Sequence, residues 1–310
     1  MTYRRPGSDA QRAGFAMVAV LWAVVVVGTL ALATALAGRD AFNAGRNRVS
    51  AARAFWHAND CAERARAAID SALNRWDDAP ARRWRHLDAV VRSDPLSAGT
   101  ACDIHLEASG ARLDVNEASA DELTRLFTAV GRPDADALAD AVLDWRDTDD
   151  DPLPGGAESP WYAGRRRALP RNGPFVADGE LARVRGLEDG IAQRLLSIEG
   201  GPISIPNAAG PVLAAVPGFT DEAVAAVLTA RAQGEEIDDL LALASTLSSA
   251  ARDSLVAHYQ EISRLTTLDP VAWILTATGR SGHPSIAATV ELRVVRTNRR
   301  ALVVRRRVSA

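Results

Sequence analysis

"FAMVAVLWAVVVVGTLALATALAG" at residues 15–38 holds no charged side chain. At a rise of 1.5 Å per residue, these roughly 24 residues make a helix about 36 Å long, enough to cross a hydrocarbon layer of about 30 Å. A core helix of that length would show polar positions, so the run reads as a membrane span. Arg4, Arg5 and Arg12 precede it, with Asp9 the only acid among them. The positive-inside tendency keeps residues 1–14 in the cytoplasm and exports the rest. A cleaved signal peptide competes with this reading, because "ALATALA" at 31–37 offers a small-x-small site.

Beyond the span, residues 39–76 keep helical periodicity. Ala41, Ala44, Ala52, Phe55, Ala62, Ala65 and Ile69 recur at three- and four-residue steps, arginines lie between them, and no proline follows until Pro80. One long helix is expected, half in the membrane and half outside. Residues 77–99 are polar and turn-rich. In 102–116, Ile104 and Leu106 alternate, Gly110 turns, and Leu113 and Val115 alternate again, which predicts a strand pair. At the C-terminus, Ile286, Ala288, Val290, Leu292 and Val294 share one face while Thr289, Glu291 and Arg293 share the other. With 271–279 and 301–308 they predict a three-stranded antiparallel meander.

Residues 117–265 between the strands are helical in pattern. Ser119 with Glu122 three residues on suits a capped helix start. "DVNEASADELTRLF" at 114–127 is echoed by "SIPNAAGPVLAAVPG" at 204–218 as a strand end, an asparagine, small residues and a short helix. The fold class is therefore α+β: a long N-terminal helix and an antiparallel sheet, with two related helical modules inserted. The expected segments are a leader at 1–14, the span at 15–38, its helical continuation at 39–79, and a linker with first strands at 80–116. A first helical module at 117–200, a second at 201–265 and terminal strands at 266–310 complete them.

Composition bounds the function. Of 310 residues, 47% are hydrophobic and 24% charged, which suits a folded chain. The net charge of −3 gives no overall attraction to nucleic acid. All 36 basic residues are arginine, as a GC-rich coding sequence would produce, so arginine clusters carry less information than usual. Cys61 and Cys102 lack metal-site spacing. In an oxidising compartment they would form one disulfide; in a reducing one they would be small buried apolar groups.

One loop stands apart. "DWRDTDDDPLPGGAESPWY", from Asp144, packs Asp144, Asp147, Asp149, Asp150, Asp151 and Glu158 into fifteen residues with only Arg146 to offset them. Counted from Asp147, carboxylates fall at positions 1, 3, 5 and 12, the EF-hand spacing for calcium. Position 6, where an EF-hand needs glycine, is Pro152, with φ locked near −65°. A true EF-hand is excluded, yet crowded carboxylates would still be relieved by a divalent cation. Asp147, Asp149, Asp151 and Glu158 are the leading Ca²⁺ ligands, with Asp144 and Asp150 beside them. The alternatives are a solvated acidic turn and, last, catalysis, because the five histidines are scattered and no nucleophile motif accompanies the acids.

Two motifs resemble known families. "RAGF" at 12–15 is similar to the cleavage site of type IV prepilins and type II secretion pseudopilins, which implies a cut between Gly14 and Phe15 by a prepilin peptidase and methylation of the new terminus. Most pilins carry glutamate at the fifth mature position, where this chain has Ala19, a habit of protein K among pseudopilins. The acidic loop followed by "RNGPFVADGELARVRGL" at 171–187 resembles the signature region of general secretion pathway protein K, a minor pseudopilin family. The resemblance implies a pseudopilin sheet with a large α-helical insertion of two helix-hairpin or SAM-like modules and calcium in that insertion. It further implies an inner-membrane anchor, a periplasmic head at the pseudopilus tip with minor pseudopilins I and J, and contact with the major pseudopilin and the inner-membrane assembly platform.

The rival reading is a membrane-tethered DNA-binding protein of a DNA-uptake system. "NAAGPVLAAVPGFTDEAVAAVLTAR" at 207–231 resembles a helix-hairpin-helix, whose turn can present amides to phosphate. Asp221 and Glu222 follow the turn and would repel a phosphate, and no basic cluster flanks it. No P-loop, G-x-S-x-G or paired-histidine metal motif supports an enzyme.

Overall fold

The computed structural model describes residues 9–74, 80–93, 102–298 and 300–309; Arg4 and Arg5 of the expected leader lie outside the described residues. Helix α1 (Asp9–Leu73) is unbroken, as the absence of proline allows. From Met17 to Val49 it is exposed throughout, and it has the length and apolar composition to cross a membrane. Only from Ala54 onward does one face bury, through Ala54, Ala58, Cys61, Ala65, Ile69 and Ala72. The expected face included Ala41, Ala44 and Ala52, all of which are exposed. Periodicity marks a small-residue stripe but cannot tell which turns of the stripe a sheet will cover.

The segment expected to be turn-rich instead holds helices α2 (Pro80–Arg85) and α3 (Leu87–Ser93). Trp84, Leu87 and Val91, at steps of three and four, are buried against α1 and the sheet. Trp84 Nε1 donates to the Pro270 carbonyl at 2.7 Å and Trp273 Nε1 donates to the Trp84 carbonyl at 2.8 Å, so each indole is both packed and satisfied.

The main sheet comprises β1 (Cys102–Ala108), β6 (Ala272–Ser281), β7 (Ile286–Thr297) and β8 (Arg300–Ser309), in that order and antiparallel throughout. The C-terminal meander forms as its alternation predicts. The expected strand pair at 102–116 does not. Strand β1 pairs instead with β6 across most of the chain, and the two-residue β2 (Leu113–Asp114) leaves the sheet to pair in parallel with β3 (Leu196–Ser197). The cause lies at Gly110, whose φ is +76° and whose added Cβ would sit 2.0 Å from the Pro202 carbonyl oxygen. Gly110 turns the chain into the insertion rather than back along β1.

The insertion has its own apolar core, and the two modules expected from the internal echo are built alike. In the first, β2 leads to α4 (Ala120–Ala129) and α5 (Ala135–Arg146), then α6 (Ser159–Gly164) and α7 (Ile191–Leu195), and closes on β3. In the second, β4 (Ile203–Ser204) leads to α8 (Gly210–Ala214) and α9 (Asp221–Gln233), then α10 (Leu240–Ser245), α11 (Ser249–Ala257) and α12 (Tyr259–Leu265), and closes on β5 (Thr266–Thr267). Ser119 and Glu122 form the expected capping box. Buried Glu199, between the modules, takes ion pairs from Arg293, Arg305 and Arg307 and ties the insertion to the sheet.

Candidate metal centre

Helix α5 ends at Arg146, whose guanidinium donates to the Val115 and Ala118 carbonyls. That anchor sets the direction in which Asp144 and Asp147 leave the helix. Asp144, fully buried in the last turn, accepts from the Leu153 amide at 3.2 and 3.3 Å. Asp147 caps the helix in extended conformation. Glu158 stands at the N-cap of α6, where Pro160 helps start the helix, but its carboxylate makes no capping bond. One carboxylate oxygen from each of Asp144, Asp147 and Glu158 lies within 4.8 Å of the other two.

The loop between them is pinned from behind. Gly156 passes so close that a Cβ there would sit 2.0 Å from Asp144 Oδ2. Arg185 donates to the Gly156 carbonyl at 2.7 Å, and its own amide donates to the Tyr162 hydroxyl at 2.9 Å. Trp145 meets Tyr162 edge-on and stacks on Phe175, so an aromatic wall backs the acids.

Three other expected ligands sit elsewhere. Asp149, Asp150 and Asp151 are exposed and outside the three-carboxylate cluster. Asp149 Oδ1 accepts from the Asp151 amide at 3.0 Å. Asp150 accepts from Ser159 Oγ and Asn172 Nδ2, bonds that hold its carboxyl below the usual range. Residue numbering alone could not separate the sets, because the EF-hand count assumes a turn that Pro152 prevents. Asn172, not singled out as a ligand, also donates to the Asp149 carbonyl and adopts φ +49°; its Asn-Gly pair was the available signal.

The cluster is electrostatically unfinished. Both Glu158 oxygens, Asp147 Oδ1 and Asn172 Oδ1 are buried with no hydrogen-bond partner among the described residues. Burying such groups without a partner costs free energy. Burial, with Asp144, Asp147 and Asp150 nearby, pushes the Glu158 carboxyl up to about 7. Burial likewise raises Asp144 and Asp147. An all-oxygen, anionic donor set of this kind fits a hard divalent cation rather than a soft one.

Elsewhere, Cys61 on α1 and Cys102 on β1 are joined by a disulfide with Cα atoms 6.6 Å apart. The Gly14–Phe15 step lies within α1, and no side-chain feature of it is described. The helix-hairpin-helix turn is packed shut. Gly218 adopts φ +82°, a Cβ there would sit 2.7 Å from His258 Cβ, and its carbonyl accepts from Ser254. Glu222 at the start of α9 is spent on Ser248.

A long, exposed, apolar helix that becomes the backing of an antiparallel sheet defines a pilin-like α+β protein. The fold is similar to a chain in the crystal structure of the GspK-GspI-GspJ complex from the enterotoxigenic Escherichia coli type 2 secretion system, with a TM-score of 0.63 at 16% identity, over 86% of this chain and 99% of that one. A family model for type II secretion system protein K matches residues 98–198, which contain the acidic cluster. Over those residues the chain is similar to type II secretion system protein K. A comparison with curated proteins gave no match.

Proposed function

We propose that this chain caps the pseudopilus of a type II secretion system, anchored in the inner membrane by residues 15–38 with its head in the periplasm. It is a non-enzymatic assembly part that joins minor pseudopilins I and J at the tip, above the major pseudopilin and the assembly platform, and supports export of folded proteins. The single observation that carries this reading is the junction of an exposed apolar spine with a head whose insertion holds the protein K match. The GspK-GspI-GspJ complex supplies the partners by analogy of fold. Ala19, in place of the glutamate most pilins carry there, suits a subunit with nothing packed above it. A buried carboxylate in the span would be costly unless paired.

In this reading Ca²⁺ fills the centre, held by Asp144, Asp147 and Glu158, and braces the loop between α5 and α6. Mg²⁺ demands tighter octahedral geometry and is usually held by one or two carboxylates, so three converging carboxylates favour the larger ion. Mass analysis of the membrane-extracted protein tests the assignment: a methylated N-terminal Phe15 is expected. An intact Met1, or a terminus near Ala37, counts against it. Co-purification of the full chain with minor pseudopilins I and J tests the place at the tip.

A further inference from the structure

Past the membrane span, α1 presents a second face that the head leaves uncovered. Arg39, Arg46 and Arg53 recur every seven residues, and Phe42, Val49 and Trp56 recur every seven residues three positions later. Together they occupy the a and d positions of successive heptads, the stripe along which one helix packs on another. The apolar three are 65%, 52% and 64% exposed. On a helical wheel this stripe points away from Ala54, Ala58 and Cys61, the face the sheet covers. Arg46 lies over the Phe42 ring at 5.9 Å and donates to the His283 carbonyl at 3.0 Å, so the β6–β7 turn forms one wall of a groove of about 470 Å³ floored by the stripe. Toward the membrane, Leu21, Val25, Leu32 and Ala35 continue the same register.

Charge decides what fits. None of Arg39, Arg46 and Arg53 pairs with a carboxylate among the described residues, whereas Arg64 and Arg66 further along the helix both do. Three cations at a positions repel a second copy of the same helix in register. We propose that this stripe docks a partner helix carrying apolar side chains at one heptad position and carboxylates at the facing one, so that each arginine meets an acid across the seam. The proposal rests on the tip-complex reading above and specifies the chemistry of the partner's spine.

The test uses the full chain in detergent and two designed amphipathic peptides with leucine at d, one with glutamate and one with lysine at a. The wild type is expected to bind the glutamate peptide at least about tenfold more tightly, and a variant carrying R39E, R46E and R53E is expected to reverse that preference. These positions are on the helix surface and glutamate is a good helix former, so apart from the one Arg46 bond to the His283 carbonyl the variant should keep its melting temperature. If it does not, Arg→Gln changes at the three sites should abolish the preference without reversing it. Equal binding of both peptides overturns the proposal. Loss of retention on phosphatidylglycerol vesicles by the variant, with no peptide preference in the wild type, also overturns it by assigning the arginines to lipid headgroups. Peptide discrimination without co-purification of minor pseudopilins I and J would instead overturn the tip reading and leave the seam standing.

Discussion

Arg146 and Arg231 close the two helical modules with the same pair of hydrogen bonds. The first donates to the Val115 and Ala118 carbonyls, the second to those of Ile205 and Ala208, and both acceptors are displaced by 90 residues. The Val115 amide donates to Ser197 and the Ile205 amide to Thr267, both at 2.9 Å, so each module locks its first strand to its last. Their surroundings differ. Arg146 has Asp114, Glu117, Glu122 and Asp147 near it. Arg231 pairs with no carboxylate among the described residues, and burial pushes it down to about 10. Replacing either with methionine strands two carbonyls and should cost on the order of 1–3 kcal/mol. Arg146→Met should cost more, because it also leaves carboxylates unbalanced, whereas Arg231→Met removes a desolvated cation. Urea unfolding of both variants gives the order; an equal or reversed loss would contradict this account.

How much of this was legible beforehand follows from the range of each signal. The apolar run, the terminal meander and the echo at 114–127 and 204–218 are local patterns, and they appear in the fold as one long helix, adjacent antiparallel strands and two similarly ordered sets of short elements. What failed depended on distant partners. Strand β1 has the alternation of a hairpin arm, yet its partner β6 lies more than 160 residues away. Ala52 and Ala54 are equivalent in composition, and only the sheet's position buries the second. In the acidic loop the residue types were visible but their directions were not. Gly156 and Arg185 bend the backbone so that Asp144 faces Glu158 while Asp149 and Asp151 face solvent.

The helix approaches the sheet backbone closely at Gly279. A Cβ there would sit 2.2 Å from the Ala54 carbonyl oxygen and 2.5 Å from the Ala58 amide nitrogen, both backbone atoms that cannot rotate away. Gly279→Ala must therefore push α1 off β6, and a loss of about 3 kcal/mol is expected. Gly131→Ala is not a fair control, since its φ is +76°; Gly164→Ala is, with no atom within 4 Å of the new methyl and no positive φ. Thermal melting should show a large drop for the first and little for the second.

The Cys61–Cys102 bond spans 41 residues and fastens the helix to β1. Loop-closure entropy sets its contribution at up to about 4 kcal/mol. A Cys61→Ala, Cys102→Ala double variant should melt lower than the oxidised wild type and no lower than the reduced one. If reduction leaves the melting temperature unchanged, the bond carries no stability.

Exposure separates two sets of acids that composition cannot. Asp144→Asn, Asp147→Asn and Glu158→Gln should each abolish most of the rise in melting temperature produced by Ca²⁺, since each removes a converging charge. Asp149→Asn and Asp151→Asn should retain most of it, because those side chains are exposed. Gly156→Ala should behave like the first set by displacing Asp144 without changing any charge. Calorimetric titration of Ca²⁺ into chelator-treated full-length protein distinguishes the sets. Equal loss in both would mean that the ion sits on the outer turn.

The pH dependence of the chelated protein follows from Glu158. Its carboxyl ionises near 7 in the folded chain and near the ordinary glutamate value when unfolded. Below that ordinary value both states hold the proton and nothing is lost. As pH rises, the unfolded chain releases its proton first, so stability falls progressively and bottoms out above about 7. Asp144 and Asp147, raised by the same burial, act in the same direction. Melting temperature in chelator should therefore decline between about pH 5 and pH 8, and Glu158→Gln should flatten much of that slope. Saturating Ca²⁺ should do the opposite of chelator, since the ion binds the ionised form and its stabilisation grows with pH. A chelated protein that gains stability over that interval would show that the three carboxylates are not held together in solution.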